Sequence, residues 1–175
     1  MSGMKRLIPA LLLAGLAVGP AASQTSSLKG HDSNAPVDVA ADRIEVQDRA
    51  DRAILSGNVV ARQAELTLTA SRVTVAYTGG GGINISRIDA SGGVTVKSPG
   101  ETARGQIAIY DLERKIITMI GDVSLVQKDA RVNGARLVID LDSGRAVMDG
   151  GGPPGTTSQG GRVTGRYTGP QKTGG

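Results

Sequence analysis

The sequence predicts an all-β domain, and three observations carry that prediction. Apolar residues alternate with polar ones in segment after segment, the period of a strand with one buried face. Beyond the N-terminus, no stretch of ten or more residues holds apolar positions at helical spacing. The side chains available for a core are aliphatic: the 175-residue chain has no Phe, no Trp and three tyrosines, Tyr77, Tyr110 and Tyr167. Val and Ile are stiff at the Cβ and suit a pleated surface better than a helix bundle. Cysteine is absent, so burial and strand pairing alone must hold the domain together.

Residues 1–23 read as a signal peptide rather than as fold. Lys5 and Arg6 make a positive start, Leu7 to Val18 form a short apolar stretch, and Ala21, Ala22 and Ser23 suit cleavage near Ser23 or Gln24. A bilayer span takes about 20 apolar residues, so export to the periplasm is expected, with an uncleaved membrane anchor as the alternative. No cysteine follows the apolar run, which excludes lipoprotein anchoring there. Losing Lys5 and Arg6 lowers the formal charge from +4 to about +2. That balance is too small for a nucleic-acid footprint, which needs clustered Lys and Arg.

Residues 24–35 are polar, include the single histidine His31, and are expected to form a flexible lead. Alternation then runs through 36–149: Val37, Val39 and Ala41; Leu66, Leu68 and Ala70; Val73, Val75 and Tyr77. It continues through Ile83 and Ile85, Val94 and Val96, Ile107 and Ile109, Val123 and Leu125, and Leu137, Ile139 and Leu141. A Gly-x-Val pattern recurs at Gly57-Asn58-Val59, Gly92-Gly93-Val94 and Gly121-Asp122-Val123, with a loop-like insertion at Gly79 to Gly82. Gly105 and Gly134 sit at comparable places in the later units. A glycine recurring inside a strand marks a bulge or tight bend, and stacked units extend one sheet. The expected result is a sheet folded over on itself with an apolar inside; a plain β-sandwich with a closed core is the alternative. Residues 150–175 hold ten of the 26 glycines and are expected to be largely disordered, with Arg162 to Tyr167 as a possible late strand.

Catalytic signatures are missing. A lone histidine in the lead offers no His-centred constellation, and neither a Gly-x-Ser-x-Gly elbow nor a His-Glu-x-x-His motif occurs. The glycine run has no Lys-Ser/Thr pair to hold a phosphate. Asp140-Leu141-Asp142-Ser143-Gly144 lacks the later ligands of a calcium loop and reads as a tight turn. Asp38 and Asp42 read as a solvated strand face. No enzyme activity, metal or cofactor is expected.

Several segments together resemble the OstA-like family. They are Pro36 to Arg43, Ala53 to Val59, Leu68 to Val73, Ala103-Arg104-Gly105, Tyr110-Asp111, Thr118 to Val123 and Asn133 to Leu137. The resemblance covers about residues 35–149. It implies a slightly twisted, open β-jellyroll of stacked antiparallel strands with an apolar interior groove. It further implies a groove that holds the acyl chains of lipopolysaccharide, the lipid A part. Copies would stack head to tail as a homo-oligomeric bridge. An inner-membrane transporter partner would meet the N-terminal edge, and an outer-membrane assembly protein the C-terminal edge. The chain departs from relatives that place Phe in the groove, and its glycine-rich tail matches no family motif.

The residues assigned to the groove are Val37, Val39, Leu55, Val59, Leu66, Leu68, Val73, Val75 and Ile85, then Val94, Val96, Ile107, Ile109, Met119, Val123, Leu125, Leu137 and Ile139. Alternation alone leaves ordinary core packing open for each of them. Arg72, Arg87, Lys97 and Arg104 are assigned as possible phosphate contacts at the rim, against the alternative of solvated surface charges. Two rival readings remain: a membrane-anchored partner of the same pathway, and a ligand-free structural β-solenoid.

Overall fold

A computed structural model describes residues 23–25, 28, 31–78, 84–151 and 161–167. Residues 1–22 of the expected signal peptide, the Gly79 to Gly82 loop with Ile83, and most of the glycine-rich tail lie outside the described residues. The strands are β1 (Ser23–Thr25), β2 (Val37–Ala40), β3 (Arg43–Gln47), β4 (Arg52–Gln63), β5 (Leu66–Thr78) and β6 (Asn84–Ser98). They continue as β7 (Glu101–Asp111), β8 (Ile116–Gln127), β9 (Ala130–Asp140), β10 (Arg145–Asp149) and β11 (Thr164–Tyr167). One short 3-10 turn, Asp48–Ala50, interrupts them.

All described strands join one antiparallel sheet in the order β1-β10-β9-β8-β7-β6-β5-β4-β2. From β4 to β10 each strand pairs with the next in sequence. At one end β2 and β3 share β4 as partner; at the other, β10 and β11 share β9. The all-β, open, antiparallel expectation is what the structure has.

The recurring Gly-x-Val segments are the line along which the sheet bends. Register shifts fall between Ser56 and Val59, Ser91 and Val94, and Ile120 and Val123. At each, two residues bulge from the strand: Gly57-Asn58, Gly92-Gly93 and Gly121-Asp122, all at positive φ. Gly57, Gly92 and Gly121 have φ of 77°, 83° and 83°, a region L side chains rarely adopt. Asn and Asp tolerate the left-handed region better than other side chains, and they fill the second position twice. Asp42, expected as part of a solvated face, holds the first bulge: its amide donates to the Gly57 carbonyl at 2.9 Å, and Asn58 Nδ2 donates to its carboxylate at 2.9 Å.

The alternation reverses on the strand opposite each bulge, so that inward-facing positions change parity between Ala70 and Val73, Ala103 and Ala108, and Val132 and Leu137. The bend also brings the two halves of the sheet face to face. Ala61, Gln63, Leu66 and Leu68 from one half and Ile88 and Tyr110 from the other line a single narrow cleft.

Candidate functional site

The interior is lined by cross-strand ladders of aliphatic side chains. One half carries Ala61, Leu68, Val96, Ala103, Leu125 and Val132 in successive register from β4 to β9. The other carries Leu55, Val73, Ala90, Ala108, Met119, Leu137 and Met148, flanked by Val75, Ile88, Tyr110, Ile117, Ile139 and Ala146. All of these are buried. The lining therefore crosses every strand from β4 to β9 without a charged side chain in these ladders.

Of the assigned groove residues, Leu55, Val59, Leu66, Leu68, Val73, Val75, Val94, Val96, Met119, Val123, Leu125, Leu137 and Ile139 are buried in this interior. Val37 and Ile85 are partly buried against it. Val39 pairs with buried Ala61 and so shares the interior face, but it stands 41 % exposed because β2 is an edge strand. Ile107 and Ile109 are corrections. The register shift between Arg104 and Ile107 reverses the alternation on β7, so Ala108 and Tyr110 turn inward. Ile107 then stands 42 % exposed opposite Ile120 on the outer face. Sequence reasoning missed Ala61, Ala90, Ala103 and Ala108, because alanine carries a weak alternation signal. Ile88, Ile117 and Val132 share this interior face and carry a period-two signal of their own.

The four assigned cations all lie exposed on the outer face. Arg72 and Arg104 adjoin the bend rather than the rim; for these two the rim assignment is corrected, since the bulge line is the part of each strand farthest from the turns. The Arg87 guanidinium is already engaged by Asp89, with Nε and Nη2 donating at 2.9 and 2.7 Å. Lys97 lies beside the Pro99-Gly100 turn, close to the rim.

The lead, expected to be loose, is tied down where it is described. Leu28 is buried within the core. The His31 ring, its side chain fully buried, bonds Gln63 Oε1 through Nε2 at 3.0 Å and Glu65 Oε1 through Nδ1 at 3.1 Å. Gln63 Nε2 in turn donates to the carbonyls of Ser33 and Ala35 at 3.0 and 2.9 Å. A hydrogen bond from its own backbone amide and the His31 bond hold the Glu65 carboxyl below the usual range. Burial pushes the Tyr110 phenol above its ordinary value, and the neighbouring Ser33 hydroxyl offsets this only in part. Neither hydroxyl has a well-formed hydrogen-bond partner. Residues with a spacing of some thirty positions carry no sequence signal for such a cluster.

The expected turn at Asp140 is present, its carboxylate accepting from the amides of Asp142 and Ser143 at 3.0 Å. No helix among the described residues is long and apolar enough to cross a membrane.

Comparison with known proteins agrees with this geometry. An uncharacterized protein of Rhizobium meliloti (strain 1021) is 30 % identical over 147 residues, covering 80 % of this chain and 79 % of that protein. The crystal structure of LptH, described as the LptA-homologous periplasmic component of the lipopolysaccharide transport device of Pseudomonas aeruginosa, superposes with a TM-score of 0.69. It is 20 % identical and covers 79 % of this chain and 99 % of that one, a likeness of fold. Residues 38–145 match the family described as LptA/(LptD N-terminal domain) LPS transport protein. The chain belongs to this family of lipopolysaccharide transport proteins.

Proposed function

We propose that the mature chain is a periplasmic bridge element that holds the acyl chains of lipopolysaccharide between the two halves of its bent sheet. The observation that carries this reading is the unbroken aliphatic lining from β4 to β9 in a sheet whose two ends are open. Burial contributes about 0.8 kcal/mol per methylene, so apolar walls alone suffice for affinity. Walls without a directed polar clamp let a chain slide along them, as a conduit requires.

The ends of the sheet fit a stacked arrangement. Edge strands present unpaired backbone groups, and strand addition satisfies them. At the N-terminal edge, Ile44 and Val46 pair with Leu55 and Ala53 and share their face, yet stand 50 % and 61 % exposed. With Val39 they continue the interior lining to the edge. At the opposite edge β11 ends on Tyr167, 62 % exposed. The last strand of one copy joined to the first strand of the next is a heterologous contact that builds a filament. The inner-membrane transporter would meet the β2/β3 edge and the outer-membrane assembly protein the β11 edge. The likeness of fold to LptH, a periplasmic component of such a device, supports the periplasmic part of the reading.

Native mass spectrometry of the mature chain with lipid A tests the reading. A stoichiometric adduct is expected with lipid A and none with the deacylated sugar-phosphate headgroup. Equal binding of the deacylated headgroup would contradict an acyl-chain site.

A further inference from the structure

The charges on the outer surface are matched on one half of the sheet and unmatched on the other. One half runs from the bend to the β4–β5, β6–β7 and β8–β9 turns; the other runs to the β7–β8 and β9–β10 turns. Apart from His31 with Glu65, the ion pairs among the described residues all belong to the second half. They are Arg43 with Glu45, Arg87 with Asp89, Arg114 with Asp111, and Lys115 with Asp142. On the outer face of the first half Arg62, Lys97, Arg104, Arg131 and Arg166 stand exposed. None of these five has an ion pair among the described residues.

Three cations converge at one corner of that face. β11 pairs with β9 so that Arg166 stands directly opposite Arg131. Directly opposed residues have Cβ atoms about 4.5–5.5 Å apart, and like charges placed so are destabilising. The β8–β9 turn adds Lys128, held at φ 43°, its amide donating to the Gly100 carbonyl at 3.3 Å. Lys128, Arg131 and Arg166 line one cavity of roughly 720 Å³ with Asn133 and Thr164, and Asp129 is the lone carboxylate lining it. Backbone pairing of β9 with β11 does not call for two arginines side by side; an opposite charge there would stabilise the sheet. The cost is recovered when a doubly charged oxyanion bridges the two guanidiniums, whose planar forks match phosphate geometry. The Asn133 amide and the Thr164 hydroxyl add neutral donors for the ester side of such a group.

We propose that Lys128, Arg131 and Arg166 form a binding site for a phosphate monoester at the outer corner of β9 and β11. The phosphate can come from the sugar headgroup of a lipid held in the groove, reaching over the β8–β9 turn, or from a soluble sugar phosphate. The site lies outside the groove and stands independently of the acyl-chain reading. Exposed charge pairs are individually weak, so the affinity for inorganic phosphate is on the order of 1 mM. That is too weak for a stoichiometric adduct with the deacylated headgroup at micromolar concentration.

The test uses the thermal midpoint of the mature chain in phosphate-free, low-salt buffer. Inorganic phosphate at about 10 mM should raise the midpoint by about 2–4 °C, and chloride or acetate at equal ionic strength should not. Arg131→Gln, and separately Arg166→Gln, should raise the midpoint without phosphate, by removing the like-charge pair, and should lose the phosphate response. A phosphate response that survives in both variants overturns the site, and an equal response to acetate overturns its selectivity for phosphate. Glucosamine 1-phosphate and lipid A then separate the two sources. Lipid A binding weakened about threefold by Arg131→Gln, with dephosphorylated lipid A unaffected, assigns the site to the headgroup of the bound lipid. Unchanged lipid A binding, with the response to glucosamine 1-phosphate lost in the variant, assigns it to a soluble sugar phosphate. A chain that responds to phosphate but binds no lipid A overturns the acyl-chain reading and leaves this site in place.

Discussion

Gly57 and Asp42 meet at the first bend. The Asp42 amide donates to the Gly57 carbonyl at 2.9 Å, and its carboxylate occupies the space a Cβ on Gly57 would need. Gly57→Ala therefore meets both a positive φ, which costs an L residue about 1–2 kcal/mol, and a collision with Asp42. A loss of about 2–4 kcal/mol is expected in chemical denaturation. Gly93, at φ 78°, has open space around it, so Gly93→Ala should cost only the backbone share, about 1–2 kcal/mol. Equal losses at the two sites would show that the bend does not depend on the Asp42 contact.

The reversal of facing on β7 makes a second prediction. Leu137 is fully buried, and Leu137→Ala should cost about 2–5 kcal/mol. Ile107, on the outer face, should accept Thr within about 0.5 kcal/mol. Urea midpoints for the two variants check this, and a large loss at Ile107 would place it in the core.

Tyr110 sets an alkaline limit. Burial raises its phenol, so the folded chain favours the neutral form. The stability this gives is present below the ordinary value of 10.0 and is lost as pH rises through the raised one. Tyr110→Phe removes the ionisation and a buried hydroxyl without a well-formed partner. It should be neutral or stabilising by about 1 kcal/mol near neutrality, and its urea midpoint should fall less on going to about pH 10.5. Tyr77, also raised by burial and by Asp48 and Asp51, contributes to the loss that persists. An unchanged alkaline slope in the Phe variant would contradict the assignment.

The β2/β3 edge makes the fourth. Lysines on an edge strand discourage pairing, so Ile44→Lys with Val46→Lys should abolish concentration-dependent assembly in sedimentation while leaving the monomer's thermal midpoint within a few degrees. Assembly that survives the double change would place the interface elsewhere.

Much of this fold is legible in the sequence for a simple reason: a period of two is a property of neighbours. The strands, their antiparallel order and the Gly-x-Val bends all follow from residues close together along the chain. The interior face is legible except where a bulge intervenes. Ile107 and Ile109 alternate as cleanly as Val94 and Val96, yet a one-residue slip at Gln106 turns them outward, and nothing in their own spacing records it. The anchoring of the lead was illegible because it rests on long-range polar contacts. His31 bonds Gln63 and Glu65 across 32 and 34 positions, and a polar lead with one buried leucine has the composition of a loose one.

The central claim is that lipid lies between the halves of the sheet. Photo-crosslinking places it directly, with probes at Leu68, Val96 and Ile139 inside and at Ile109 and Arg104 outside, on the mature chain with lipopolysaccharide. Adducts at the three interior positions, competed by unlabelled lipopolysaccharide and absent from the two outer ones, are the predicted result. Adducts at the outer positions alone, or none from a folded sample that binds lipopolysaccharide, would contradict it.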